Sequence, residues 1–77
     1  MVKSKNVEIN KALGKHLSKL RADRKLSQEE LANLIDIPIS QVGRIERGEG
    51  NPTVTTLHLF AQAFNISIKD LFSFNDA

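Results

Sequence analysis

The chain has 77 residues, with 11 lysines and arginines against 9 acidic residues and no cysteine. That length holds one domain with a modest core, and the missing cysteine excludes both a disulfide framework and a thiolate zinc site. No stretch approaches the ~18–20 apolar residues of a membrane span.

Met1 to Asn6 lead into no apolar run of the kind a secretory signal needs, so a soluble, cytoplasmic protein is the default expectation. Residues 1–6 read as a flexible basic tail, residues 7–74 as the folded domain and residues 75–77 as a short C-terminal tail. Charge is lopsided. Through Lys25 there are Lys3, Lys5, Lys11, Lys15, Lys19, Arg21, Arg24 and Lys25 against only Glu8 and Asp23, whereas the remainder is net acidic. An anionic partner on one side of the molecule would suit this asymmetry, and so would a solvated lysine face.

Ile9, Leu13, Leu17 and Leu20 recur at helical spacing and predict a first helix, with Lys11, Lys15 and Lys19 pointing elsewhere. Gly14 interrupts that run and should weaken it by about 1 kcal/mol relative to alanine. Ser27-Gln28-Glu29-Glu30 is a capping box that opens a second helix, with Leu26 and Leu31 at the hydrophobic-staple positions. This helix ends near Leu34 or Ile35. Pro38 disfavours helical geometry at Ile37 and is harmless at a helix start, so a third helix is expected from about Pro38 to Arg47. Val42 and Ile45 turn inward, and Gly48-Glu49-Gly50-Asn51-Pro52 closes the helix with a loop of turn formers.

Thr53 is the expected N-cap of a fourth helix with the stripe Leu57, Phe60, Ala61 and Phe64. Asn65 suits a left-handed turn there. Ser67-Ile68-Lys69-Asp70 opens a last short helix, with Ile66 and Leu71 at staple spacing. The predicted fold class is therefore all-α, a compact bundle of five short helices. Its expected core is Leu13, Leu17, Leu20, Leu31, Ala32, Ile35, Val42, Ile45, Leu57, Phe60, Phe64 and Leu71. The second and third helices are joined so tightly that they must cross steeply, which is helix-turn-helix geometry.

The residues Leu20-Arg21, Leu26-Ser27-Gln28-Glu29-Glu30-Leu31-Ala32, Ile37, Val42, Ile45-Glu46-Arg47-Gly48, Asn51-Pro52, Leu57, Phe60-Ala61, Ile66 and Leu71 resemble the phage-repressor and Cro-type, or xenobiotic-response-element, helix-turn-helix family. The likeness spans roughly residues 9 to 73 and implies a lambda-repressor-like fold. It further implies a sequence-specific regulator, repressor-like in action, that binds double-stranded DNA as a homodimer on an inverted repeat.

In that family the third helix lies in the major groove. The resemblance places Ile39, Ser40, Gln41 and Arg44 at base edges, and Gln28, Arg47 and Asn51 at phosphates. It also makes Arg21 and Glu46 a structural ion pair. Gly43 stands where relatives often carry a side chain. Asp36 and Lys25 replace common glycines, and Pro38 replaces a Ser or Thr cap. Relatives of this length often pair through the last helices, which points to Leu71, Phe72 and Phe74 as a dimer surface.

An alternative of a different class is a protein-interaction module with the same fold, such as an antitoxin or a coactivator-like adaptor. An enzyme is not expected. Ser27 is explained by capping and has no His–Asp arrangement to activate it. His16 and His58 lie on different helices without an acidic cluster, so no metal or cofactor is expected, and the phenylalanines fall at core spacing rather than as a stacking platform.

Overall fold

A computed structural model describes residues 3–74. Its helices are α1 (Lys3–Asp23), α2 (Gln28–Ile35), α3 (Ile39–Glu46), α4 (Val54–Phe64) and α5 (Ile68–Leu71), and no strand occurs among the described residues. The tail expected over residues 1–6 is helical from Lys3 onward, while the expected C-terminal tail at 75–77 lies outside the described residues.

Local chemistry sets each boundary. At α2, the Ser27 hydroxyl accepts from the Glu30 amide at 3.0 Å and the Glu30 carboxylate accepts from the Ser27 amide at 2.8 Å, which completes the capping box. Thr53 and Ser67 cap α4 and α5 in the same hydroxyl-to-amide manner. Lys25, Asp36 and Asn65 end α1, α2 and α4 in the left-handed region, with φ of 57°, 60° and 58°. Each is followed by an amide that reaches back to the helix: Leu26 to Arg21, Ile37 to Ala32 and Ile66 to Ala61. Pro38 sits before α3 and, having no side-chain donor or acceptor, makes no capping hydrogen bond.

The second helix packs on α3 and α4, while α1 crosses over both α3 and α4, and α5 folds onto α4. Leu17, Leu31, Val42, Phe60 and Leu71 are buried almost completely at the centre. Leu20 packs at the edge of that core, partly exposed. Phe60 and Phe64 meet edge-on, and Arg24 lies over the Phe64 ring while donating to the carbonyls of Phe64 and Leu20.

At Gly14, α1 passes close against the last turn of α3. A β-carbon there would lie 2.5 Å from the Glu46 carbonyl oxygen and 2.6 Å from that of Ile45. The bare glycine lets the two backbones touch, and the helix-propensity loss expected from sequence is the local cost of that tertiary contact.

Leu71, expected both in the core and at a dimer surface, belongs to the core alone. Leu71 is fully buried in the chain's own core, because the staple turns it under α4 with Ile66 on the other side of the turn. It therefore has no exposed surface to offer a second copy. Phe72 is half-exposed, and Phe74 is partly buried against His16, with ring centroids 5.3 Å apart.

Candidate nucleic-acid interface

Helix α3 has two sides with different chemistry. Inward go Val42 and Ile45, both in the core. Outward go Ile39, Ser40 and Arg44, all exposed, with Gln41 half-buried beside them. These are the four residues expected at base edges, and α3 presents them together along one side. Among the described residues Arg44 forms no ion pair. A shallow depression of about 200 Å³ runs beside this face, bounded by Gln41, Arg44 and the loop at Glu49, Asn51 and Pro52.

A single carboxylate ties α3 to α1 and α2. Glu46 accepts from Arg21 Nε at 2.7 Å, from Arg21 Nη2 at 3.0 Å and from Gln28 Nε2 at 2.9 Å. Arg21 also donates through Nη1 to the Leu26 carbonyl at 2.7 Å, so α1, α2 and α3 share one polar knot. The side chains of Arg21 and Glu46 are only 16% and 5% exposed. A planar guanidinium meeting both carboxylate oxygens is the strongest form of this pairing, and it satisfies charges that burial would otherwise penalise. Hydrogen bonding to Glu46 raises the Arg21 pKa above its ordinary value, with burial opposing and charge attraction adding to it.

Gln28, expected at a phosphate, thus gives one of its two amide N–H groups to Glu46, with its oxygen toward α3. The bare face of Gly43 is where these groups meet. A β-carbon placed there would lie 3.1 Å from Arg47 Nη1 and 3.7 Å from Gln28 Oε1. Arg47 and Gln28 occupy the space a side chain at position 43 would fill.

Arg47 is exposed and forms a forked pair with Glu49, Nε to Oε2 at 3.1 Å and Nη2 to Oε1 at 3.3 Å. The hydrogen bond to Arg47 holds the Glu49 carboxyl below its usual range, and the same bond raises Arg47. Asn51 accepts from Asn10 Nδ2 at 2.9 Å, and the same amide donates to the Gly50 carbonyl at 3.1 Å. Asn10, Lys11 and Glu49 were not among the sequence-derived candidates. Glu49 stands in the loop itself, two residues from Arg47, but Asn10 and Lys11 reach this edge because Gly48, with φ of 78°, lies against the α1 backbone at Lys11. Nothing local in the sequence announces a contact between residues nearly forty positions apart.

Among the described residues there is no group of His, Asp or Glu placed to hold a metal, and no helix is long and apolar enough to cross a membrane. The tightly joined, packed pair α2–α3, with its exposed outer face, is that of a helix-turn-helix protein.

Comparison with known proteins agrees. The helix-turn-helix family matches over residues 17–71. Control protein C.SmaI of Serratia marcescens is 34% identical over 65 residues, covering 84% of this chain and 77% of its own. The HTH-type transcriptional regulator y4dJ of Sinorhizobium fredii is also 34% identical over 65 residues, covering 84% of each. Among solved structures, the restriction-modification controller protein C.AhdI of Aeromonas hydrophila superposes with a TM-score of 0.80 at 36% identity, over 82% of this chain and 96% of that one. The chain belongs to the Cro/C1-type helix-turn-helix transcriptional regulators, a DNA-binding and non-enzymatic family.

Proposed function

We propose that two copies of this chain bind an inverted-repeat operator in double-stranded DNA, each laying α3 in the major groove, and that bound protein represses transcription. The observation that carries this reading is the division of α3. Its inner side is knotted to α1 and α2 through Glu46, while Ile39, Ser40, Gln41 and Arg44 face outward on a rigid support. Arg44 is suited to a bidentate contact with guanine O6 and N7, Ser40 and Gln41 to adenine or a phosphate, and Ile39 to a thymine methyl. Arg47 and Asn51 flank the helix end, where duplex phosphates would pass, and Gln28 joins them from the start of α2.

A single small module buries too little surface for high specificity, so two modules one helical turn apart are the natural solution. Phe72, 45% exposed and with its ring 6.2 Å from that of Phe74, is the apolar group best placed to join them. Such a regulator would act in the cytoplasm at the nucleoid. A role as a control protein is favoured by the likeness to control protein C.SmaI and to the restriction-modification controller C.AhdI. The interaction-module alternative draws support from Leu34, 60% exposed beside a depression bounded by Leu59 and Ala63.

Selection from a random duplex library tests the reading. Expected are two half-sites centred about 10–11 base pairs apart, with a guanine preference that Arg44→Ala erases. Enrichment of no sequence, with affinity that only falls as salt rises, would leave phosphate contacts alone and favour the interaction module. Sedimentation of Phe72→Ser as an intact dimer would move the dimer surface elsewhere.

A further inference from the structure

The charge pattern at the end of α3 contains an acidic residue where a DNA-facing surface would be expected to avoid one. Glu49 extends from the loop directly after the helix, and its amide donates to the Arg44 carbonyl at 2.9 Å, which fixes the turn. Both of its carboxylate oxygens engage the Arg47 guanidinium, at 3.1 and 3.3 Å. A guanidinium fork fits a carboxylate and a phosphate in the same way, because both offer two anionic oxygens to parallel N–H donors. Around this pair lies a cleft of about 450 Å³ edged by Asn10, Lys11, Arg47 and Asn51, a set of donors with Glu49 as its one carboxylate.

The geometry points to Glu49 as a built-in substitute for a DNA phosphate, one that occupies Arg47 in the free protein and must yield it when the duplex backbone arrives. Glu49 thereby lowers affinity for DNA of any sequence, setting how strongly the chain grips the duplex backbone while touching no base. The inference rests on the reading that α3 docks in the major groove with Arg47 at the backbone. Its physical basis is competition. The exposed pair is individually weak, which is what allows a polyanion to displace it, and its oxygens are aligned well enough to hold the guanidinium while no DNA is present. When the carboxylate is displaced it is left close to a phosphate, so repulsion adds to the lost pairing. Neutralising Glu49 removes both opposing effects and frees Arg47 to release counterions from the duplex, which steepens the dependence on salt.

A mutant cycle on a fluorescein-labelled mixed-sequence duplex separates competition from simple repulsion. Glu49→Gln should bind this duplex about three- to ten-fold more tightly at low salt, with a log–log salt slope steeper by up to about one. In an Arg47→Ala background the same substitution should change affinity by less than about two-fold, because nothing remains to be released. Independently, the Glu49 carboxyl carbon signal in NMR should move, on saturation of the wild-type protein with the duplex, toward its position in free Arg47→Ala. An equal gain from Glu49→Gln in both backgrounds, or an unmoved carboxyl signal, would overturn the inference and leave the docking reading intact. Arg47→Ala binding the duplex as tightly as wild type would overturn both, since Arg47 would then touch no phosphate.

Discussion

Replacing Gly14 with alanine should destabilise this protein even though alanine is the better helix former. The local effect of the substitution is a gain of about 1 kcal/mol in helix propensity. Against it stands the geometry of the α1–α3 crossing. The new β-carbon would lie 2.5 Å from one carbonyl oxygen and 2.6 Å from another, where ordinary contacts begin at 3.4 Å. Relieving the tighter contact needs about 0.9 Å of separation between two backbones, and no flexible side chain is available to absorb it. That movement would loosen Leu13 and Leu17, both buried beside the crossing, and stretch the Arg21–Glu46 pair.

Overpacking of this kind costs up to about 3 kcal/mol, so the net loss is about 2 kcal/mol. At roughly 4–8 °C per kcal/mol for a domain of this size, the melting temperature should fall by about 8–16 °C. Circular-dichroism melts and urea titrations measure it, with Gly50→Ala as the control. Gly50 has φ of 86° but nothing within 4 Å of a β-carbon, so that variant meets backbone strain alone. If Gly14→Ala melts at or above the wild-type temperature, the close approach is not what positions α1 on α3, and the reasoning fails.

Other substitutions probe the remaining joints. Glu46→Ala strands the Arg21 guanidinium and the Gln28 amide, and should cost about 2–4 kcal/mol in a urea titration; a loss below 1 kcal/mol would show that water replaces the carboxylate. Lys25→Gly relieves a left-handed lysine and should raise the urea midpoint by the equivalent of about 0.5–1 kcal/mol. Ser27→Ala removes the α2 cap and should cost about 1 kcal/mol. Because Glu49 is held below its usual carboxyl range, its pair with Arg47 persists above that range and is lost only as pH falls through the lowered value. The gain in DNA affinity from Glu49→Gln should therefore be the same at pH 6 and pH 8, as read by fluorescence anisotropy.

Much of this architecture can be read from the sequence because its signals are local. A capping box, a proline after Ile37 and apolar residues at helical spacing each act within a turn or two, and they place all the helices and nearly all the core. What escapes is whatever depends on distant residues. Gly14 reads as a weak point of a helix, since the carbonyls it admits come from residues 45 and 46. Leu71 reads as core from its spacing and as dimer surface from the resemblance, and the packing of α5 on α4 settles it as core. Asp36 and Lys25 look misplaced where glycine is usual, yet both adopt the left-handed turn, because the helix-end hydrogen bonds and the staple residues on either side hold the backbone there. At the interface, the four outward residues of α3 follow from periodicity and resemblance together. The partner Asn10 does not, since it reaches Asn51 only where Gly48 rests on Lys11, while Glu49 pairs with Arg47 two positions away.

The three-donor carboxylate of Glu46 has an evolutionary corollary. None of the residues that tie α3 to its neighbours through Glu46 is among those proposed to read bases, and among the described residues none of those readers makes a side-chain hydrogen bond to the rest of the fold. On the proposed reading, Ile39, Ser40, Gln41 and Arg44 would be exchangeable as a cassette, so that a change of operator would leave the Glu46 knot in place.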